Sequence, residues 1–139
     1  MNLLSVADIP AVQLETTRTV RDAVDGMMAR KVGVVVVTEQ GRITGIFTER
    51  DVMTKIVGGR LDPDRTPLGL VMSTPVYHVP ATLYVQDALR NMLERRVRNL
   101  VISNDGRVVQ GTVALSNLMK FMLDYQEKNL RQMESYLGR

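Results

Sequence analysis

The chain has 139 residues, 45% hydrophobic and 24% charged, which suits one ordinary domain or two half-size units packed as one and argues against disorder. It has no cysteine and one histidine, His78, which excludes disulfides, thiol catalysis, cysteine-based zinc sites and multi-histidine metal centres. A net charge of +3, two phenylalanines, four tyrosines and no tryptophan make a mildly basic surface with little to stack single-stranded bases.

The first elements in the chain form a unit. A short extended piece (Val12 to Leu14) leads through Thr16 and Thr17 to an amphipathic helix, whose stripe is Val20, Ala23, Val24, Met27 and Met28. A β-branched run, Val34 to Thr38, is apolar on both faces, as a buried central strand requires. A turn at Glu39-Gln40-Gly41, a second strand from Arg42 to Phe47 and a helix from Thr48 complete it. The longest apolar run, Val34 to Val37, is strand length and far too short to span a membrane. With no signal-peptide pattern at the N-terminus, a cytoplasmic location is the expectation.

The unit then recurs. Shifted by 65 positions, Pro10, Thr17, Val20, Asp22, Ala23, Met27, Val36 and Gly41 fall on Pro75, Thr82, Val85, Asp87, Ala88, Met92, Val101 and Gly106; after one insertion the shift is 66, and Gly45 and Met53 fall on Gly111 and Met119. The second copy therefore predicts a strand at Val76 to Val79, a helix from Val85 to Leu93, a strand at Leu100 to Ser103, an Asp-Gly turn at Asn104-Asp105-Gly106, a strand from Arg107 to Val113 and a closing helix near Leu115. Short lead-in helices are expected at Leu68 to Met72 and Leu3 to Asp8.

The order is β-α-β-β-α twice, an α/β chain of the α+β type. Each copy leaves one sheet face bare, so packing the two sheets face to face with pseudo-two-fold symmetry is the expected solution. The expected divisions are a first repeat over 1–58, a linker over 59–67, a second repeat over 68–122 and a C-terminal helical extension over 123–139. The extension continues an apolar stripe through Leu118, Met119, Met122, Leu123, Gln126, Leu130, Met133 and Leu137. That stripe either folds back on its own domain or meets another protomer. The methionines, mostly on helix stripes, read as core fillers.

The chemistry concentrates at Gly45-Ile46-Phe47-Thr48-Glu49-Arg50-Asp51. Thr48 and Asp51 have the spacing of a helix capping box. The same geometry presents two acceptor oxygens to a vicinal diol such as ribose, beside a helix N-terminus that favours a phosphate, with Arg50 close by to donate to it. His78 reads as a rim residue, and Asp62 and Asp64 as turn residues. Arg95, Arg96 and Arg98 either complement a helix C-terminus or contact phosphate. No nucleophile or acid–base constellation is visible, which argues against an enzyme.

A tandem β-α-β-β-α repeat whose second strand runs into Gly-x-x-Thr-x-x-Asp resembles a pair of CBS domains, over about Val6 to Met122. The resemblance implies a two-repeat regulatory module, often a homodimer, that binds an adenosine nucleotide between its repeats, as in energy sensing: AMP, ADP or ATP, or NAD or S-adenosylmethionine. It implies that Asp51 and Thr48 hold ribose, that Thr16, Thr17, Val34 and Val35 hold adenine, and that Arg50 or Arg98 meets phosphate. The second copy has Ala114 and Asn117 in place of Thr and Asp, so Asn117 and Ser116 form a weaker second site at best. No metal or catalytic cofactor is implied. A ligand-free oligomerisation scaffold remains the alternative, and nucleic-acid binding through Arg95 to Arg98 a further one.

Overall fold

A computed structural model describes residues 2–138. The first repeat contains β1 (Gln13–Glu15), α1 (Val20–Arg30), β2 (Val34–Glu39), β3 (Arg42–Thr48) and α2 (Glu49–Asp51), which continues as a π-helical stretch (Val52–Val57). The second contains β4 (His78–Val79), α4 (Val85–Arg95), β5 (Asn99–Ile102), β6 (Gly111–Ala114) and α5 (Leu115–Tyr136). Between them lies the short helix α3 (Leu68–Val71), and a 3-10 turn at Leu3–Val6 precedes the first repeat.

Each repeat makes its own three-stranded sheet, in the orders β1-β2-β3 and β4-β5-β6. The first pair in each is parallel and the second antiparallel. The two long helices end alike: Lys31 and Arg96, which correspond under the repeat, both cap in the left-handed region at φ of 55° and 56°. Val20, Ala23 and Met27 of α1 are buried, as are their counterparts Val85, Ala88 and Met92 of α4. The stripe is narrower than its spacing suggested, because Met28 and Leu93 are exposed. Of the methionines, only Met27 and Met92 are buried among the described residues, while Met28, Met53, Met119 and Met133 face solvent.

Strand alternation splits the valine run between two cores. Val35 and Val37 pack with Phe47 under α1. Val36 faces the other way and meets Val101, its repeat counterpart, together with Ala11, Ile43, Ile46, Val76 and Val109. This third cluster is the expected sheet-on-sheet contact, and its members Ala11 and Val76, and Ile43 and Val109, are also repeat counterparts.

The lead-in segments are exchanged. Leu3 is fully buried in the second repeat's core, beside Val85, Ala88 and Leu118, and Leu68 is fully buried in the first repeat's core, beside Val20, Ala23 and Phe47. Each lead-in then runs as one extra bridge along the last strand of the sheet it joins. Asp8 exchanges backbone hydrogen bonds with Thr112 (2.7 and 3.2 Å), and Ser73 does so with Ile46 (2.8 and 3.0 Å). Glycine suits both crossings. A Cβ on Gly45 would sit 2.6 Å from Met72 Sδ, and one on Gly111 would sit 3.0 Å from the Asp8 carbonyl oxygen.

The second hairpin differs from its sequence expectation. β6 begins at Gly111 rather than Arg107, because the preceding loop is organised by side chains. Ser103 Oγ donates to the Val108 carbonyl (2.6 Å) and accepts from Gly106 N–H (3.0 Å), while Asp105 accepts from the N–H groups of Arg107 and Val108 (2.8 and 3.0 Å). Backbone groups satisfied in this way have no need of a strand partner.

Candidate functional site

Thr48 is extended (φ −120°, ψ 168°) and ends β3, so its hydroxyl accepts from Asp51 N–H, while Asp51 Oδ2 accepts from Thr48 N–H at 3.0 Å. This is the capping box expected from the spacing. Its counterpart is gone: Ala114 starts α5 with no side-chain cap, and Asn117 and Ser116 are exposed.

The carboxylate does more than cap. Asp51 is only 6% exposed, and the exchanged lead-in covers it. Ser73 Oγ donates to its two oxygens at 3.2 and 3.4 Å, and Lys55 Nζ lies 3.4 Å from Oδ1. Lys55 is positioned by that same lead-in, donating to the Val71 carbonyl at 2.7 Å and to Ser73 Oγ at 3.0 Å. A carboxylate taken out of water needs such partners. A ribose can therefore reach Asp51 only by displacing or joining Ser73 and Lys55.

The same lead-in also lines an open cleft of about 350 Å³, together with Thr16, Thr17 and Glu39, through Pro67, Gly69, Leu70 and Met72. Gly69 N–H donates to the Thr16 carbonyl at 2.9 Å, which holds the linker against the turn before α1. Met72 lines the cleft and its neighbour Ser73 reaches Asp51, so a single linker segment joins the two.

Thr16 and Thr17 thus lie in the cleft. Val34 is buried on the inter-sheet side of β2, opposite Thr48 in register. Val35 is enclosed in the core under α1, which leaves its side chain no face for a ligand. Arg50 and Arg98 are exposed and do not line the cleft. The Arg98 carbonyl accepts from Leu115 N–H at 2.8 Å, as Gly33 does from Glu49 in the first repeat. Arg95 lies over the Tyr77 ring, 3.5 Å from its centroid, which gives this member of the basic cluster an intramolecular role. His78 is exposed, with Nδ1 3.2 Å from the Ser103 carbonyl.

Lys55, Ser73, Glu39 and Met72 were not legible as site residues. The repeat itself offers a signal for the first two. Their counterparts are Phe121 and Asp8, so the chain departs from its own symmetry where the Asp51 carboxylate is held and the Asn117 amide is not.

Two sheets packed face to face, exchanged lead-ins and a cleft beside a capped Asp define a tandem-repeat module of the CBS type. The chain belongs to that family: the CBS domain model matches residues 6–58 and 68–124. The chain is 32% identical over 117 residues to the CBS domain-containing protein YhcV of Bacillus subtilis, with 82% of each covered. It is 30% identical over 118 residues to the Meiotically up-regulated gene 70 protein of Schizosaccharomyces pombe, covering 85% of this chain but 16% of that one. The chain likewise spans about a fifth of the length of several CBS domain-containing proteins of Arabidopsis thaliana.

Among solved structures, a putative signal-transduction protein with CBS domains from Burkholderia ambifaria superposes with a TM-score of 0.80 at 22% identity, covering 89% of this chain and 95% of that one. The CBS protein PAE2072 from Pyrobaculum aerophilum, complexed with AMP, has a TM-score of 0.73 at 26% identity over 84% of this chain and 89% of that one. The CBS pair of protein MJ0100, in complex with 5-methylthioadenosine and S-adenosyl-L-methionine, has a TM-score of 0.79 at 13% identity over 90% and 98%. Among the described residues, no helix is long and apolar enough to cross a membrane.

Proposed function

We propose that this chain is a non-enzymatic sensor that binds one adenosine nucleotide in the cleft beside Asp51 and reports occupancy to a regulated partner. The observation that carries the reading is the asymmetry between the copies. The first keeps Thr48 and Asp51 and adds Lys55 and Ser73 around the carboxylate, while the second has Ala114 and Asn117. Capping alone gives no reason for that difference. Complexes of CBS pairs with AMP and with S-adenosyl-L-methionine support an adenosyl ligand.

In this reading the ribose hydroxyls replace Ser73 on Asp51, and adenine enters among Thr16, Thr17 and Met72. Ser73 lies on the segment bridged to Ile46, between the repeats. Displacing it shifts the linker, and occupancy becomes a change in how the repeats sit. The coupling is bounded by the ligand's differential affinity for the two arrangements. The regulated protein is a separate chain or a further part of this one.

The test is isothermal calorimetry with AMP, ADP, ATP, NAD and S-adenosylmethionine on the wild type and on Asp51→Asn, which keeps one capping acceptor. Selective binding that weakens at least about tenfold in the variant supports the ribose assignment, since a hydrogen bond to a charged group contributes about 1.5–3 kcal/mol. Equal affinity in both proteins overturns it.

A second reading, a ligand-free scaffold, draws on a specific observation. Asp51 is buried and both its oxygens are already partnered within the chain. No binding of any of the five compounds would leave this reading standing.

A further inference from the structure

α5 is 22 residues long, yet only its first turns touch the second repeat's core, through Leu115, Leu118, Phe121 and Met122. From Leu123 to Gly138 every residue is exposed, with Leu123 and Leu130 at 57% and Met133 at 61%. A helix of that length, standing free in water, is marginal without a partner.

Five exposed apolar residues and one polar one, Gln126, carry a register. Met119, Leu123, Gln126, Leu130, Met133 and Leu137 are spaced in steps of four and three. That spacing keeps them on one face of the helix over its whole exposed length, as a two-helix seam requires. Between Met119 and Leu137 the charges balance, with Lys120, Lys128 and Arg131 against Asp124, Glu127 and Glu134, so the helix has no single-sign face for a nucleic acid or an anionic membrane.

We propose that α5 pairs antiparallel with α5 of a second copy of this chain, about a two-fold axis near Lys128. In that register Met119 meets Leu137 of the partner subunit, Leu123 meets Met133 of the partner subunit, and Gln126 meets Leu130 of the partner subunit. The residues flanking one side of the seam are Lys120, Glu127 and Glu134. The antiparallel register brings Lys120 opposite the partner's Glu134 twice per dimer. A parallel pairing sets the same three charges against Leu115, Met122 and Asn129, with no ion pair. The antiparallel arrangement has one unfavourable contact, Glu127 against the partner's Glu127 at the axis. It gives the homodimer expected from the family an orientation, a register and a pair of charges, and it does not depend on nucleotide binding.

The test is sedimentation equilibrium of the full chain across the micromolar range, with variants at exposed positions that leave the fold intact by circular dichroism. The expected wild-type species is a dimer, and Leu130→Asn dissociates it by about a hundredfold, two leucines being lost per dimer. Lys120→Glu and Glu134→Lys each weaken it about tenfold, and the double swap restores it, as expected of two exposed ion pairs. The absence of native cysteine gives an orientation readout. Glu127→Cys should cross-link to itself under mild oxidation, whereas Leu137→Cys should not, its own copy lying about 27 Å away along the helix. A monomer at all concentrations, a dimer indifferent to Leu130→Asn, a double swap no tighter than either single, or faster cross-linking of Leu137→Cys would each overturn the proposal.

Discussion

Leu3 and Leu68 occupy corresponding positions in the two repeats, and each is fully buried in the core of the repeat it does not belong to. The exchange ties the two halves into one cooperative unit. Leu3→Ala and Leu68→Ala should each lower stability by about 2–5 kcal/mol. Urea unfolding followed by circular dichroism should remain a single transition in both variants. Two separate transitions would show that the repeats stand alone.

The capping difference between the copies can be read as energy. Thr48→Ala removes a side-chain cap and should cost about 1 kcal/mol. Ala114 already has the extended backbone of a cap (φ −89°, ψ 145°). Ala114→Thr combined with Asn117→Asp should therefore add about 0.5–1 kcal/mol through a second capping box. Thermal unfolding of the three proteins measures both signs.

Ser73 is the group a ribose must compete with. If the nucleotide reading holds, Ser73→Ala should raise nucleotide affinity by about threefold or more, because one hydroxyl no longer has to leave Asp51. Calorimetry against the wild type decides. A fall in affinity would place Ser73 among the ligand contacts instead.

Two aspartates contribute to the acid limb of stability. The carboxylate of Asp22 is held below the ordinary aspartate range by the Arg18 side chain and then by Thr19 N–H. That of Asp105 is held down by the N–H groups of Val108 and Arg107. A depressed folded value means that the stabilisation is complete at neutral pH and is lost as pH falls below about 4, through the folded values. Melting temperature should therefore drop on acidification over that window, and Asp22→Asn and Asp105→Asn should each flatten the drop.

Much of this fold was legible because the chain repeats. Helix stripes, central strands and the first hairpin turn follow from residue spacing, and the match between copies put them in order. The exchange of lead-ins was not legible, since Leu3 and Leu68 are equally apolar whichever core they enter. Periodicity also could not see that the helix after Thr48 relaxes to π geometry over Val52–Val57, or that Ser103 and Asp105 shorten β6. At the site, local spacing found Thr48 and Asp51. Lys55 looked like any charge on a helix, and Ser73 is 22 residues away from Asp51 in the chain, joined to it only by the tertiary crossing. The Val35 side chain lies in the core under α1, and a valine run does not say which face is which.

The glycine that opens the Gly-x-x-Thr-x-x-Asp pattern now separates from the rest of it. Gly45 makes room for Met72 and Gly111 for Asp8, so both answer to the passage of one strand over another. Thr and Asp answer to a different demand, which only the first copy meets. The pattern is thus two requirements printed side by side. The architectural half is kept in both copies of this chain, while the chemical half was free to change in one of them without disturbing the other.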